Sequence, residues 1–316
     1  MKKYHFYFSV SLLIAGLVIA GAVTPLRASA QNVRAISISP LIFELTANPG
    51  EVVSNVLKIY NNNDYKITVN IDIEDFAPAG EAGQAVVTEP QENNTYSLAR
   101  WISVEEKTFE VEPQSFRPIS FGVNIPVDAE PGGHYGTVLA SFTDGNGASG
   151  VGVASKVGSL LLLQVAGATK ESLSVASMEA PEFSEYGPVT IGTRFKNSGT
   201  VHLKPKGFVL VQNLFGRETA KLQLDQKNVL PNSIRRIESK LDKKLLFGKY
   251  TATLTAIYGA TNEPLSHSVS FWVIPWKISL AVLVGALIVL TILYRARRRI
   301  LLALRILFKG ESRNLG

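Results

Sequence analysis

The stretch KITVNIDIE, residues 66–74, decides the fold: Ile67, Val69, Ile71 and Ile73 alternate with Thr68, Asn70, Asp72 and Glu74. A period of two makes one face apolar and the other wet, as in a half-buried antiparallel strand. The same period recurs in VTIGTRFK (Val189, Ile191, Thr193, Phe195) and in YTATLTAI (Tyr250, Ala252, Leu254, Ala256). Turn residues separate such segments, at Asn48-Pro49-Gly50, Asn61-Asn62-Asn63-Asp64, Pro113-Gln114, Asn197-Ser198-Gly199 and Pro231-Asn232. With no soluble amphipathic helix in the pattern, short strands at intervals of about ten residues predict an all-β sandwich architecture.

Comparing the halves shows an internal repeat. VEPQSFRPI (Val111 to Ile119) matches VLPNSIRRI (Val229 to Ile237), and GHYGTVLAS (Gly133 to Ser141) matches GKYTATLTA (Gly248 to Ala256). Upstream, LKIYNNNDYKITV (Leu57 to Val69) parallels TRFKNSGTVHLKP (Thr193 to Pro205) as strand, polar turn, strand. Three landmarks in one order predict two tandem immunoglobulin-like β-sandwiches, 31–168 and 169–275, joined after the apolar run SLLLLQVAG. Both copies keep a tyrosine entering a central strand, Tyr135 and Tyr250. This predicts a structural role like that of the corner tyrosine of immunoglobulin sandwiches, whose hydroxyl ties down a loop. His134 becomes Lys249 in the second copy, which predicts a flanking, solvated residue.

The two ends are different in kind. Residues 1–30 have the form of a secretory signal: Lys2 and Lys3, the apolar run FSVSLLIAGLVIAGAV, then Ala28-Ser29-Ala30. The run ISLAVLVGALIVLTILY (Ile278 to Tyr294) carries no charge and has the length of a bilayer core, predicting a single C-terminal transmembrane helix over 276–295. Trp272 and Trp276 on one side and Tyr294 on the other suit the membrane interface, and Arg295, Arg297, Arg298 and Arg299 open a basic tail, 296–316. The positive flank places that tail in the cytoplasm and residues 31–275 outside, in a single-pass cell-membrane topology. Beyond the anchor, RRRILLALRILFKGESR mixes basic and apolar residues, a pattern that suits the inner leaflet as well as a simple stop-transfer flank.

The chain of 316 residues has a net charge of +6, but seven basic residues against one acid lie from Arg295 onward and three more lie in the signal, so the exported part is mildly acidic. Basic charge here sets topology, and nucleic acid is not an expected partner. Exported chains often use disulfides, yet this one has no cysteine, so its stability rests on packing. Its histidines lack metal-ligand spacing; His202 alternates with Val201 and Leu203 and is expected to point outward. Asp72 and Glu74 fall on the wet face of their strand, and DGNGASG (Asp144 to Gly150) lacks the closing glutamate of a calcium loop. No nucleophile elbow or phosphate loop occurs. These observations predict a protein that is not an enzyme and has no cofactor. The long polar segment PAGEAGQAVVTEPQENNTYS (Pro78 to Ser97) suggests a recognition loop, with Asn93, Asn94, Tyr96 and Trp101 as candidate contacts. Trp101 also suits a core anchor.

The segments ISPLIFELTANPGEVVSNVLKIYNNNDYKITVNI (Ile38 to Ile71), FEVEPQSFRPISFGVNIP (Phe109 to Pro126) and PGGHYGTVLASF (Pro131 to Phe142) resemble the first domain of the WxL-interacting proteins of Gram-positive cell surfaces. The resemblance implies a signal peptide, two immunoglobulin-like domains, one C-terminal transmembrane helix and a short basic tail. It also implies a first domain that contacts peptidoglycan and a second that engages host or partner proteins. The expected function is therefore a membrane-anchored binding or structural protein for cell-wall polymer or other exported proteins. The alternative is a membrane-held chaperone that lends a strand to subunits of a surface structure. Oligomeric state is left open.

Overall fold

The structure, a computed structural model, describes residues 36–90, 94–143 and 154–309. The expected signal at 1–30, Asn93 and the Asp144 to Gly150 segment lie outside these. The described residues are mostly β. The first ten strands are β1 (Ile36–Ser39), β2 (Ile42–Ala47), β3 (Val52–Asn61), β4 (Ile67–Ala79), β5 (Gln84–Thr88), β6 (Ile102–Val104), β7 (Thr108–Val111), β8 (Ser115–Asn124), β9 (Gly132–Thr143) and β10 (Ala154–Val165). They form one sheet in the order β1-β3-β8-β6 and a second in the order β2-β10-β9-β4-β5, with β7 also paired to β4. The following strands are β11 (Leu173–Glu179), β12 (Phe183–Ser184), β13 (Val189–Asn197), β14 (Lys206–Asn213), β15 (Glu218–Gln223), β16 (Ile234–Leu241), β17 (Gly248–Tyr258) and β18 (Glu263–Val273). Their sheets run β11-β13-β16 and β12-β18-β17-β14-β15. A helix, α1 (Trp276–Lys309), ends the described chain.

Alternation builds each pair of sheets. In β4, Ile67, Val69 and Ile71 are buried, while Thr68 and Asn70 face water. These isoleucines and the valine meet Leu57 and Ile59 of β3, Phe121 of β8 and Leu161 and Leu163 of β10 in one core. Phe43 closes it edge-on against Phe121 at 5.0 Å. A second core gathers Ile191, Phe195, Ile237, Leu254 and Phe271, all from β11 to β18. Burying each such side chain contributes about 1.5–3 kcal/mol, which offsets the absence of disulfides.

The repeat seen in the sequence recurs in the hydrogen bonds. Asn61 donates from Nδ2 to the carbonyls of Tyr65, Val111 and Glu112, and its Oδ1 accepts the Asn63 N–H. Asn197 donates to the carbonyls of Val201 and Val229 and accepts the Gly199 N–H. Gln114 and Asn232, aligned in VEPQS and VLPNS, both adopt left-handed backbone conformations, at φ 49° and 54°.

The long polar segment departs from expectation. Seven of its residues are strand, in β5 and the end of β4, which pair from Asp75 opposite Thr88 to Ala79 opposite Gln84. The turn between them, Gly80 to Gly83, rests on β16 instead of projecting: the Arg236 N–H donates to the Glu81 carbonyl at 2.8 Å.

Candidate functional site

The outer face of the β2-β10-β9-β4-β5 sheet is covered as well as its inner one, because β10 is apolar on both faces. Leu161 and Leu163 enter the main core, whereas Leu162 turns outward with Phe76 and Tyr135 into a small cluster covered by Leu230 and Tyr96. A strand of this kind implies cover on both sides, and the residues after Leu173 supply the second cover.

Polar contacts bind this seam. The Gly133 N–H donates to the Thr200 carbonyl at 2.9 Å. Tyr135, 4% exposed, lies with its hydroxyl 3.5 Å from His202 Nδ1, at the long limit of a hydrogen bond. A glycine at 133 is required there, since a Cβ would fall 2.1 Å from the Tyr135 hydroxyl. Burial pushes the Tyr135 phenol above its ordinary pKa and draws His202 below its own, although the Glu44 carboxylate opposes the latter shift. The Arg194 guanidinium makes a two-pronged bond to the Glu81 carboxylate, Nε to Oε2 at 2.7 Å and Nη2 to Oε1, and holds that carboxyl below the usual range. At Glu44, burial opposes ionisation, but hydrogen bonds from Lys204 Nζ (2.6 and 2.8 Å) and Asn228 Nδ2 (2.7 Å) outweigh it and lower the pKa. Between these contacts lies a cleft of about 160 Å³, with Ile42, Phe76, Leu160 and Leu230 as apolar walls and Glu44, Lys227 and Arg235 as its charges.

A second, wider groove of about 420 Å³ is lined by Asn94, Thr95, Ser97, Arg100, Trp101, Asp128, Glu130 and His134. Asp75 anchors the turn that carries its Trp101. Fully buried on β4, it accepts the N–H groups of Leu98 and Ala99 on Oδ1, at 2.9 and 2.8 Å, and so fixes the 3-10 turn Ala99–Trp101. Trp101 packs partly against the first core and lies 4.3 Å, centroid to centroid, from the His134 ring. His134 is 3% exposed, its two ring nitrogens 3.2 and 3.0 Å from the carbonyls of Ser97 and Glu130. A neutral imidazole has one N–H and donates to one of these carbonyls at a time. Ser97 Oγ is buried without a hydrogen-bond partner among the described residues.

Of the residues singled out in the sequence, Asn94 and Trp101 meet at this groove. Tyr96 goes the other way, its hydroxyl accepting from Asn232 Nδ2 at 3.2 Å across the seam. Two histidine readings are corrected. His134 is buried, because the turn Ala99–Trp101 covers it and the second half has no such turn over Lys249. His202 points into the seam, since the wet side of a strand becomes an interior once other strands pack on it. Tyr250 ties its own loop, accepting the Phe247 N–H at 3.1 Å, while the Tyr135 hydroxyl reaches the opposite half. Asp75, Glu81 and Arg194 escaped sequence reading; a buried aspartate inside an alternating strand has no local signature, though Asp75 and Phe76 do interrupt the alternation.

At the other end, Trp272 lies in β18 and Trp276 opens α1, 46% and 50% exposed. The stretch Trp276–Arg297 is long and apolar enough to cross a membrane, and none of its most apolar window is buried against the rest of the chain. Its 22 residues span about 33 Å at ~1.5 Å per residue, matching a hydrocarbon core of about 30 Å. The helix does not stop there: it carries Arg295, Arg297, Arg298 and Arg299 and runs to Lys309. Arg297 lies over the Tyr294 ring, 4.3 Å from its centroid.

Among the described residues, no group of three or more His, Cys, Asp or Glu side chains is placed to hold a metal ion. No family model matches the chain, and no curated protein matches it. Among solved structures it is similar to a chaperone–tip adhesin complex of CFA/I fimbriae biogenesis, at 10% identity and a TM-score of 0.39, covering 75% of this chain and 98% of that one. It is also similar to the CupB2 chaperone of Pseudomonas aeruginosa (8% identity, TM-score 0.36, 74% and 100% covered) and to the Salmonella enterica SafA pilin–SafB chaperone complex (10%, 0.36, 77% and 99%).

Proposed function

We propose that this chain is a non-enzymatic envelope protein in which two tandem immunoglobulin-like sandwiches stand outside the cell on one membrane-crossing helix, with a cytoplasmic C-terminus. The first sandwich holds cell-wall polymer, as in the WxL-interacting proteins that its sequence resembles. The observation that carries this reading is the Trp101 groove. An aromatic ring beside Asn94, Ser97, Asp128 and Glu130 offers an apolar platform with hydrogen-bonding groups on its rim, the composition that suits a sugar or peptide chain. The ring is fixed from behind by His134 and by the Asp75-anchored turn, so little ordering is left for binding to require.

Sedimentation of the full chain with purified peptidoglycan tests it. The intact protein is expected in the pellet, and the rim variants Asn94→Ala and Asp128→Asn to bind several-fold more weakly, with Trp101→Ala weaker still. A full chain that stays in the supernatant overturns the reading.

The second reading is a membrane-held assembly factor, favoured by β5. It forms the edge of its sheet, with Val86 and Val87 50% and 40% exposed on opposite faces, and offers its outer side to an added strand. Under this reading an exported subunit co-purifies with the chain and is lost from Val87→Pro, while peptidoglycan sedimentation does not occur.

A further inference from the structure

We propose that the end of the second pair of sheets nearest α1 is a lipid-contacting face, whose apolar loop tips enter the interfacial layer of the bilayer that α1 crosses. This rests on the proposed membrane span and goes beyond it, since a span alone would leave the sandwiches free to swing.

Strand register puts the tips at one end. Gly248 of β17 pairs with Val273 of β18, so the loop before β17 lies beside the start of the helix. Asn213 of β14 pairs with Tyr250, which brings the Leu214 to Arg217 turn to the same level. The Gly187 N–H donates to the Lys244 carbonyl, adding the loop that carries Tyr186. Exposed there are Leu214 (67%), Phe215 (83%), Leu245 (89%) and Phe247 (71%). Large apolar side chains this exposed, gathered from separate loops, mark a contact surface and not scatter.

The tips are held rigidly from behind. Asn213 Oδ1 accepts the N–H groups of Phe215 and Arg217, each at 3.0 Å. Leu246 is buried between exposed Leu245 and Phe247, and the Tyr250 hydroxyl accepts the Phe247 N–H. Only Ile274 and Pro275 separate β18 from α1, and the Ile274 N–H is itself bonded to the Ser184 carbonyl. Lys277 in the first helical turn reaches Glu185 at 2.8 Å. With no slack between strand and helix, a bilayer around α1 meets these loops first. Trp272 and Trp276 belong to the same level, where aromatic rings favour the headgroup layer. By contrast, the turn at the far end of β17, Gly259 to Asn262, presents no large apolar side chain. Charge is not the driver: Arg217, Lys243, Lys244 and Lys277 are matched by Glu182, Glu185, Glu218 and Asp242. Insertion of apolar tips therefore suits a neutral as well as an anionic surface.

The absence of cysteine allows a direct test. Full-length single-cysteine variants Phe215→Cys, Leu245→Cys and Phe247→Cys are labelled with a nitrobenzoxadiazole dye and placed one per nanodisc of phosphatidylcholine, with or without phosphatidylglycerol. Thr261→Cys serves as the distal reference and Val289→Cys as the reference inside α1. Dithionite is expected to bleach the three tip probes about fivefold or more slowly than Thr261→Cys, with blue-shifted emission and little dependence on lipid charge. Tip probes as accessible as Thr261→Cys, with Val289→Cys protected, overturn this inference and leave the span standing. An accessible Val289→Cys overturns the span and the lipid face together. Protection that appears only with several chains per disc assigns the patch to a second copy and equally overturns the proposal.

Discussion

At the scale of single residues, the repeated asparagine sets the turn that follows the third strand of each half. Asn61 and Asn197 are buried, at 1% and 0% exposure, and each joins its own turn to the segment that leads into β8 or β16 through Val111 or Val229. Removing the amide takes a donor from those carbonyls and leaves the Asn63 or Gly199 N–H without its acceptor, a cost of about 1–3 kcal/mol. Asn61→Ala and Asn197→Ala should each lower unfolding stability in urea by that amount. Asn197→Asp should do no better, because it keeps the acceptor for Gly199 but loses the donor for Val201 and Val229. The alignment of NNNDYKITV with NSGTVHLKP shows the asparagine recurring; its three-way bonding is a property of a buried amide and has no pattern in the chain. His134 shows the opposite case. Comparison with Lys249 suggests solvent, yet a turn from thirty-odd residues earlier closes over the imidazole and leaves the lysine uncovered.

At the scale of elements, the β4-β5 hairpin is both the least legible part of the fold and the part that joins its halves. Period-two alternation reveals β4 up to Glu74, and the apolar run at Leu160 to Leu163 reveals a strand covered on both faces. Between Gly80 and Glu89 the β-branched run Val86, Val87 and Thr88 is too short, among Gly, Ala, Gln and Glu, to mark a strand by itself, and pairing with the overhanging end of β4 completes β5. Its turn has no room for a side chain at Gly83: a Cβ would fall 2.2 Å from the Arg235 guanidinium, which is held by a 2.8 Å bond to the Asn228 carbonyl, and the backbone there has φ +83°. Gly83→Val should therefore lift the hairpin away from β16, exposing the Arg236 amide to hydrogen exchange while amides within β3 and β8 keep their protection. Equal protection of Arg236 in the variant would show that the hairpin does not hold the halves together.

For the whole molecule, the seam couples the relation of the two halves to pH. His202 meets Tyr135 from β9, Glu44 from β2 and Lys204 from its own segment, and burial holds its imidazole below the ordinary value of about 6.5. A group whose pKa is lower in the closed form takes up its proton more readily in the open form, so its contribution to closure is fully present above about 6.5 and declines as pH falls towards the lowered value. Glu44 and Glu81, also lowered, follow the carboxylate pattern and weaken the seam only at more acidic pH, near and below their ordinary value. The phenol of Tyr135, raised by burial, acts at the alkaline end, where closure weakens above about pH 10. The pH range from 7.5 to 5.5, roughly that of histidine titration, leaves the carboxylates and the phenol unchanged, and substitution of His202 separates it from His134 and His267. Across that range the Gly133 and Arg236 amides, which donate across the seam to Thr200 and Glu81, should lose protection after correction for intrinsic exchange, whereas amides inside β3 and β17 should not. In His202→Gln, which keeps a hydrogen-bonding partner for Tyr135 but cannot titrate, the loss should vanish; if it persists, the acid response of the seam belongs to another group.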